Sequence, residues 1–227
     1  MPSVFALIGG AWRFSAKQPA VFPVAFWLIF SPLAIAFSNV LPRLCILALA
    51  LMILWGEVAL LVIGKRLLQT KAGRSRTSLR TTVLQARRYI IPAVLTGLLR
   101  IGLSLLWALL LIVPGILYAI RTSFFLIVIV TEGIEYRAGL KRSQHIVRGR
   151  TLQILLTFLI LGITLFAPAM IVRAFLTSTF HDVAWSMIVI ATVTALLSTV
   201  GMVLFTFAMI LLYCELLPSN KVRVHTK

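Results

Sequence analysis

Long apolar runs separated by short basic segments make up most of the chain, and about 20 apolar residues in a helix cross the roughly 30 Å hydrocarbon core of a bilayer. Counting on that basis predicts six membrane-spanning helices, at 20–38, 44–64, 90–113, 115–131, 152–172 and 187–214. The fourth is short. The sixth is long enough to tilt, to kink near Gly201 or to project beyond the lipid. Between the third and fourth runs, Pro114-Gly115 reads as a tight turn, because proline lacks a donor and disfavours helix in the residue before it, while glycine takes any turn geometry. A single kinked helix from 90 to 131 would instead be about 63 Å long, twice what a bilayer requires.

Helical periodicity also marks the segments just before three of these runs. In "SLRTTVLQARRYI", Leu79, Val83, Ala86 and Ile90 form one stripe, with Arg76, Arg80 and Arg87 away from it. In "YRAGLKRSQHIVRGR", Tyr136, Leu140, Ile146 and Val147 form the apolar side, and Arg137, Lys141, Arg142, His145 and Arg148 the polar one. More weakly, Val4, Ile8, Ala11 and Trp12 share a side before the first run, with Arg13 and Lys17 near the entry. The predicted architecture is therefore an all-α membrane bundle of six spans in one domain, 1–227, with amphipathic interfacial helices, arranged as three units of one such helix and a hairpin.

Composition agrees with this class. Hydrophobic residues make up 61% and charged residues 12%, against about 45–50% and 25% in soluble domains. The formal net charge of +17 comes from short segments between apolar runs rather than from one basic domain, which points to membrane orientation and away from nucleic acid. Eighteen of the 22 Lys and Arg residues fall on one side of the predicted map, and only Arg43 and Arg173 on the other. The positive-inside rule then makes both termini cytoplasmic. "AIA" at 34–36 has the form of a signal-peptide cleavage site, but the basic residues come late and the apolar stretch is long and carries Pro23 and Pro32, so a retained first span is expected.

Candidate chemistry is sparse. The chain has five acids and three histidines, and Cys45 and Cys214 fall at opposite membrane faces. His145, His181 and His225 sit in an interfacial helix, an outer loop and the tail. No metal-ligand cluster, nucleophile elbow or phosphate loop occurs, so neither catalysis nor a cofactor is expected.

Ionisable residues inside the spans stand out, at a cost of about 2.5–3.5 kcal/mol each. Glu57, Arg100 and Arg121 fall at depths of roughly 10, 15 and 15 Å from the cytoplasmic side, so the three can meet. Two readings of that cluster stay open: a fold-locking ion pair with a spare arginine that snorkels, or an anion site for a lipid phosphate.

The stretch 112–150 resembles the signature region of the bacterial glycerophosphodiester phosphodiesterase membrane-domain family and its uncharacterised multi-span relatives. The matching residues are Pro114-Gly115, Arg121, Glu132, Leu140-Lys141-Arg142-Ser143 and Arg148-Gly149. Gly139 stands where that family usually has alanine, which predicts a helix looser by up to about 1 kcal/mol. The resemblance implies a bacterial inner-membrane protein whose membrane domain is not the catalytic part. Two functions follow as expectations. One is a non-enzymatic scaffold or accessory that meets anionic headgroups on the cytoplasmic side through Arg76, Arg80, Arg87, Lys141, Arg142 and Arg148, and through them a membrane partner. The other is a transporter or lipid-moving protein with Arg100 and Arg121 at its substrate site. A bland anchoring role for the basic segments, at about 1 kcal/mol per Lys or Arg near the surface, accounts for most of them.

Overall fold

In the computed structural model the described residues are 3–16, 18, 20–29, 43–69, 79–180 and 186–217. All regular structure among them is helical: α1 (Val4–Ala16), α2 (Val21–Leu28), α3 (Arg43–Gln69), α4 (Leu79–Leu110), α5 (Ile112–Arg121), α6 (Phe125–Glu132), α7 (Tyr136–Val147), α8 (Thr151–Thr179) and α9 (Ser186–Leu216). Four segments among the described residues are long and apolar enough to cross a membrane: Thr81–Leu110, Ile112–Glu132, Thr151–Thr179 and Ile188–Leu216. The predicted first span begins in α2, and its remainder at 30–38 lies outside the described residues. The predicted second span falls within α3, a helix of 27 residues.

The core gathers where α3, α6 and α9 meet. Val58 through Ile63, Ile127 through Val130, and Phe207, Leu212 and Tyr213 are all buried. β-Branched and γ-branched side chains on every face suit a helix surrounded by others. In contrast, the outer parts of α4, α5 and α8 expose Leu109, Ile112, Ile163 and Ile171, as lipid-facing surface does. The short helix α1 lies against α9, with Leu7 and Ala11 buried and the Phe14 ring 4.9 Å from that of Phe207. Trp12, expected on its apolar side, is exposed.

Two sequence expectations are corrected by the helix boundaries. The predicted interfacial helix at 79–90 is not separate: α4 continues through Pro92 for 32 residues, and its buried stripe runs Thr82, Ala86, Ala93 and Thr96 rather than along Val83 and Ile90. The sixth run forms one long helix, α9, unbroken at Gly201, where the missing side chain lets α8 approach, since a Cβ would sit 2.9 Å from the Leu165 carbonyl oxygen. Finally, Pro114-Gly115 is not the turn between α4 and α5.

The reversal takes a single extended residue, Leu111, at φ −159° and ψ 132°. Pro114 sits in the first turn of α5, where its absent N–H has no intrahelical partner to lose. Gly115 follows, and a Cβ on it would lie 2.8 Å from the Ala108 Cα, so glycine here sets how closely α5 can return along α4. Gly115→Val is expected to force the two helices apart and cost about 1–3 kcal/mol, as overpacking does. Thermal unfolding in detergent measures this, and a melting temperature equal to that of the parent would show that the contact is not tight.

Candidate functional site: an interrupted apolar helix and the side chains that hold it

The fourth predicted span is broken. Its hydropathy is continuous, yet α5 ends at Arg121 and α6 begins at Phe125, with Thr122 and Phe124 at ψ 8° and 7°. A break in an apolar helix leaves backbone donors and acceptors without their usual partners, and in hydrocarbon no water satisfies them. Here several of the groups at the break find partners. The Ser123 N–H turns to the Ile120 carbonyl, three residues back instead of four, and the Phe125 N–H to that of Thr122. The Phe124 N–H donates to the Ser143 Oγ at 3.2 Å, and the same hydroxyl donates to the Arg121 carbonyl at 2.9 Å. From α4, the Arg100 Nη2 donates to the Ala119 carbonyl at 3.0 Å and its Nε to the Thr122 Oγ1 at 3.1 Å. The Arg100 guanidinium also lies 5.1 Å from the Phe125 ring centroid, a cation–π contact.

This geometry follows from the hairpin. Arg100 and Thr122 are equally far along the chain from Leu111, so the antiparallel return of α5 brings them level. Ser143 arrives from the other direction on α7, whose placement rests on three contacts. Gly133 takes the left-handed conformation, φ 71°, and closes α6 through its N–H to the Ile129 carbonyl. The Tyr136 N–H donates to the Thr96 Oγ1 at 3.0 Å. Gly139 lets α7 fold back, because a Cβ there would lie 2.6 Å from the Ile134 carbonyl oxygen. Glycine at 139 is therefore fitted to the turn.

Below the break, α6 ends in a polar knot. Glu132 binds Arg142 with two hydrogen bonds, Nε to Oε2 at 2.8 Å and Nη2 to Oε1 at 2.9 Å, and accepts a third from the Tyr213 hydroxyl at 2.8 Å. The paired carboxylate holds the Arg142 guanidinium further above its ordinary pKa. Thr131 Oγ1 donates to the Ile127 carbonyl and lies 3.3 Å from the Tyr213 hydroxyl. The Lys65 Nζ of α3 donates to the Val130 carbonyl at 2.7 Å, one of the last carbonyls of α6. A bidentate pair fixes the angle of α7 as well as its distance.

Against the residues expected from sequence, the placement is mixed. Arg100 is half-buried and does hold the fourth span, but not through a carboxylate. Arg121 exposes its side chain, and only its carbonyl belongs to the break. Glu57 is half-buried on α3 and forms no ion pair with a described residue; the Glu132–Arg142 pair is the one salt bridge among them. The expected three-residue cluster is therefore replaced by hydrogen bonds from Arg100 to neutral groups. Arg142 turns inward rather than facing lipid. Arg87, Lys141 and Arg148 are exposed, as is His145, whereas Arg76 and the side chain of Arg80 lie outside the described residues, with His181 and His225.

Sequence reasoning missed Ser143 as a support, and Thr122 and Tyr213 altogether. No group of three or more His, Cys, Asp or Glu suited to a metal occurs among the described residues. Cys214 carries a free thiol, half-buried near the end of α9. No protein-family model matches the chain, and no curated protein or solved structure matches it either.

Proposed function

We propose that this chain is a non-enzymatic integral membrane protein, a scaffold that gathers anionic lipid around a rigid bundle and so prepares a membrane patch for a partner. The observation that carries the reading is the two-sided character of α7. Its inner side, with Gly139, Leu140, Ser143 and Val147 buried, is committed to the fold, and Arg142 is tied to Glu132. Its outer side presents Arg137, Lys141, His145 and Arg148, spaced by four, four and three residues and all exposed. That spacing makes one basic stripe, the arrangement by which surface helices meet anionic headgroups.

In this reading the bundle has six spans, α2 and α3 belonging to the first two, and both termini and α7 face the cytoplasm of a bacterial inner membrane, as the basic residues favour. The resemblance of 112–150 to the glycerophosphodiester phosphodiesterase membrane-domain family supports a structural role. Several of its matching residues serve folding: Ser143 bonds two backbone groups at the break, Glu132 and Arg142 pair, and Gly149 turns at φ 84°.

Lipid that travels with the protein tests this. The chain is extracted in polymer-bounded discs from vesicles of phosphatidylcholine with a minority of phosphatidylglycerol. The discs are expected to be enriched in phosphatidylglycerol over the bulk, and the enrichment to fall in Lys141→Gln/Arg148→Gln and in high salt. A lipid ratio equal to the bulk would refute the scaffold. The interrupted helix favours a second reading, since transporters build substrate sites at discontinuous helices. The two differ in water: a transporter opens the break to solvent, and a scaffold keeps it dry.

A further inference from the structure

Arg100, a cation in an apolar helix, pairs with no carboxylate among the described residues. Of the five acids in the chain, four lie among the described residues. Glu132 is taken by Arg142, and Glu57, Glu135 and Glu215 form no ion pair with a described residue. The partners of Arg100 are a carbonyl, a hydroxyl and an aromatic ring. They orient the guanidinium without neutralising it, and a second cation stands near. Thr96, which receives the Tyr136 N–H, lies one turn from Arg100 on the same side of α4, so the start of α7 brings Arg137 alongside. Tyr118 precedes the carbonyl that Arg100 binds, and it lies within electrostatic reach of both Arg100 and Arg137. The Arg100 Nη1 has no hydrogen bond to a described residue, and Arg137 is exposed.

We infer that Arg100, Tyr118 and Arg137 form a single site for a phosphate group. Two guanidinium groups and a phenol supply the fork-shaped and single donors that phosphate oxygens accept, and one bound phosphate would offset two charges that pair with no carboxylate among the described residues. Ile116 and Leu117 of α5, 51% and 37% exposed next to Tyr118, leave the site open sideways to lipid. The phosphate therefore comes from an anionic phospholipid headgroup or from free phosphate. The inference deepens the scaffold reading by adding one specific site to a diffuse basic surface, and it pairs Arg100 with Arg137 rather than with Arg121.

Native mass spectrometry of the detergent-solubilised chain, titrated with phosphatidylglycerol, counts bound lipid directly. One lipid per chain is expected to bind saturably, and about tenfold more weakly in Arg137→Gln and in Tyr118→Phe, as loss of a charge-assisted bond implies. Both changes leave the supports of the break in place, which an Arg100 variant would not. In Lys141→Gln/Arg148→Gln the saturable lipid should remain while the loosely held ones decline, so this test and that of lipid enrichment can fail separately. Displacement by inorganic phosphate in millimolar amounts assigns the site to free anion, and persistence in its presence assigns it to the headgroup. Binding with no saturable component, or equal binding in all variants, would overturn the site.

Discussion

Ser143→Ala is expected to lower stability by roughly 2–4 kcal/mol, because one buried hydroxyl serves two backbone groups that no other described residue bonds. Ser143 is 0% exposed, donates to the Arg121 carbonyl and accepts from the Phe124 N–H. Removing the hydroxyl leaves a donor and an acceptor unpaired inside an apolar bundle, while alanine keeps the packing and helix propensity of α7. The loss therefore isolates hydrogen bonding. Chemical denaturation in mixed micelles measures it, and an unchanged midpoint would mean that the break is closed by its own backbone.

Glu132→Gln is the second large effect. The pair it breaks is neither fully buried nor on the surface, with side chains 21% and 23% exposed. Its cost should therefore fall between the values for exposed and buried pairs, about 1–3 kcal/mol. Glutamine keeps an oxygen for the Tyr213 hydroxyl but offers Arg142 no charge. Adding Arg142→Met should restore part of the loss, since the penalty lies in the stranded guanidinium more than in the missing attraction. A double-mutant cycle on melting separates the two, and strictly additive losses would show that the pair contributes nothing of its own.

The helical class and the four long apolar helices were legible from hydropathy alone, because burial in hydrocarbon demands helices of a certain length. The reversal near 111–115 was legible too, but its chemistry was misassigned: proline and glycine suggest a turn, yet proline is equally at home in a first helical turn and glycine at a close crossing. The break at Thr122–Phe124 was not legible. It contains neither proline nor glycine, and what holds it, Arg100 and Ser143, comes from far along the chain. Arg121 was expected inside because its neighbours are apolar. However, Ala119 and Thr122 are the residues that bond Arg100 of α4, and Arg121 is exposed. The Glu132–Arg142 pair was hidden for a different reason: it joins residues across the turn at Gly133, so no helical spacing announces it.

Whether the break stays dry decides between gathering lipid and moving a solute, and Ser123 is placed to report it. Its Oγ is buried and has no hydrogen-bond partner among the described residues, at the centre of the interruption. Ser123→Cys, in a chain with Cys45 and Cys214 replaced by alanine, is reconstituted in vesicles containing phosphatidylglycerol and exposed to a membrane-impermeant maleimide on each side in turn. The scaffold account predicts that the thiol stays unlabelled from both sides until the protein is denatured. Labelling from either side in the folded protein would contradict it and give the interrupted helix to a transport path.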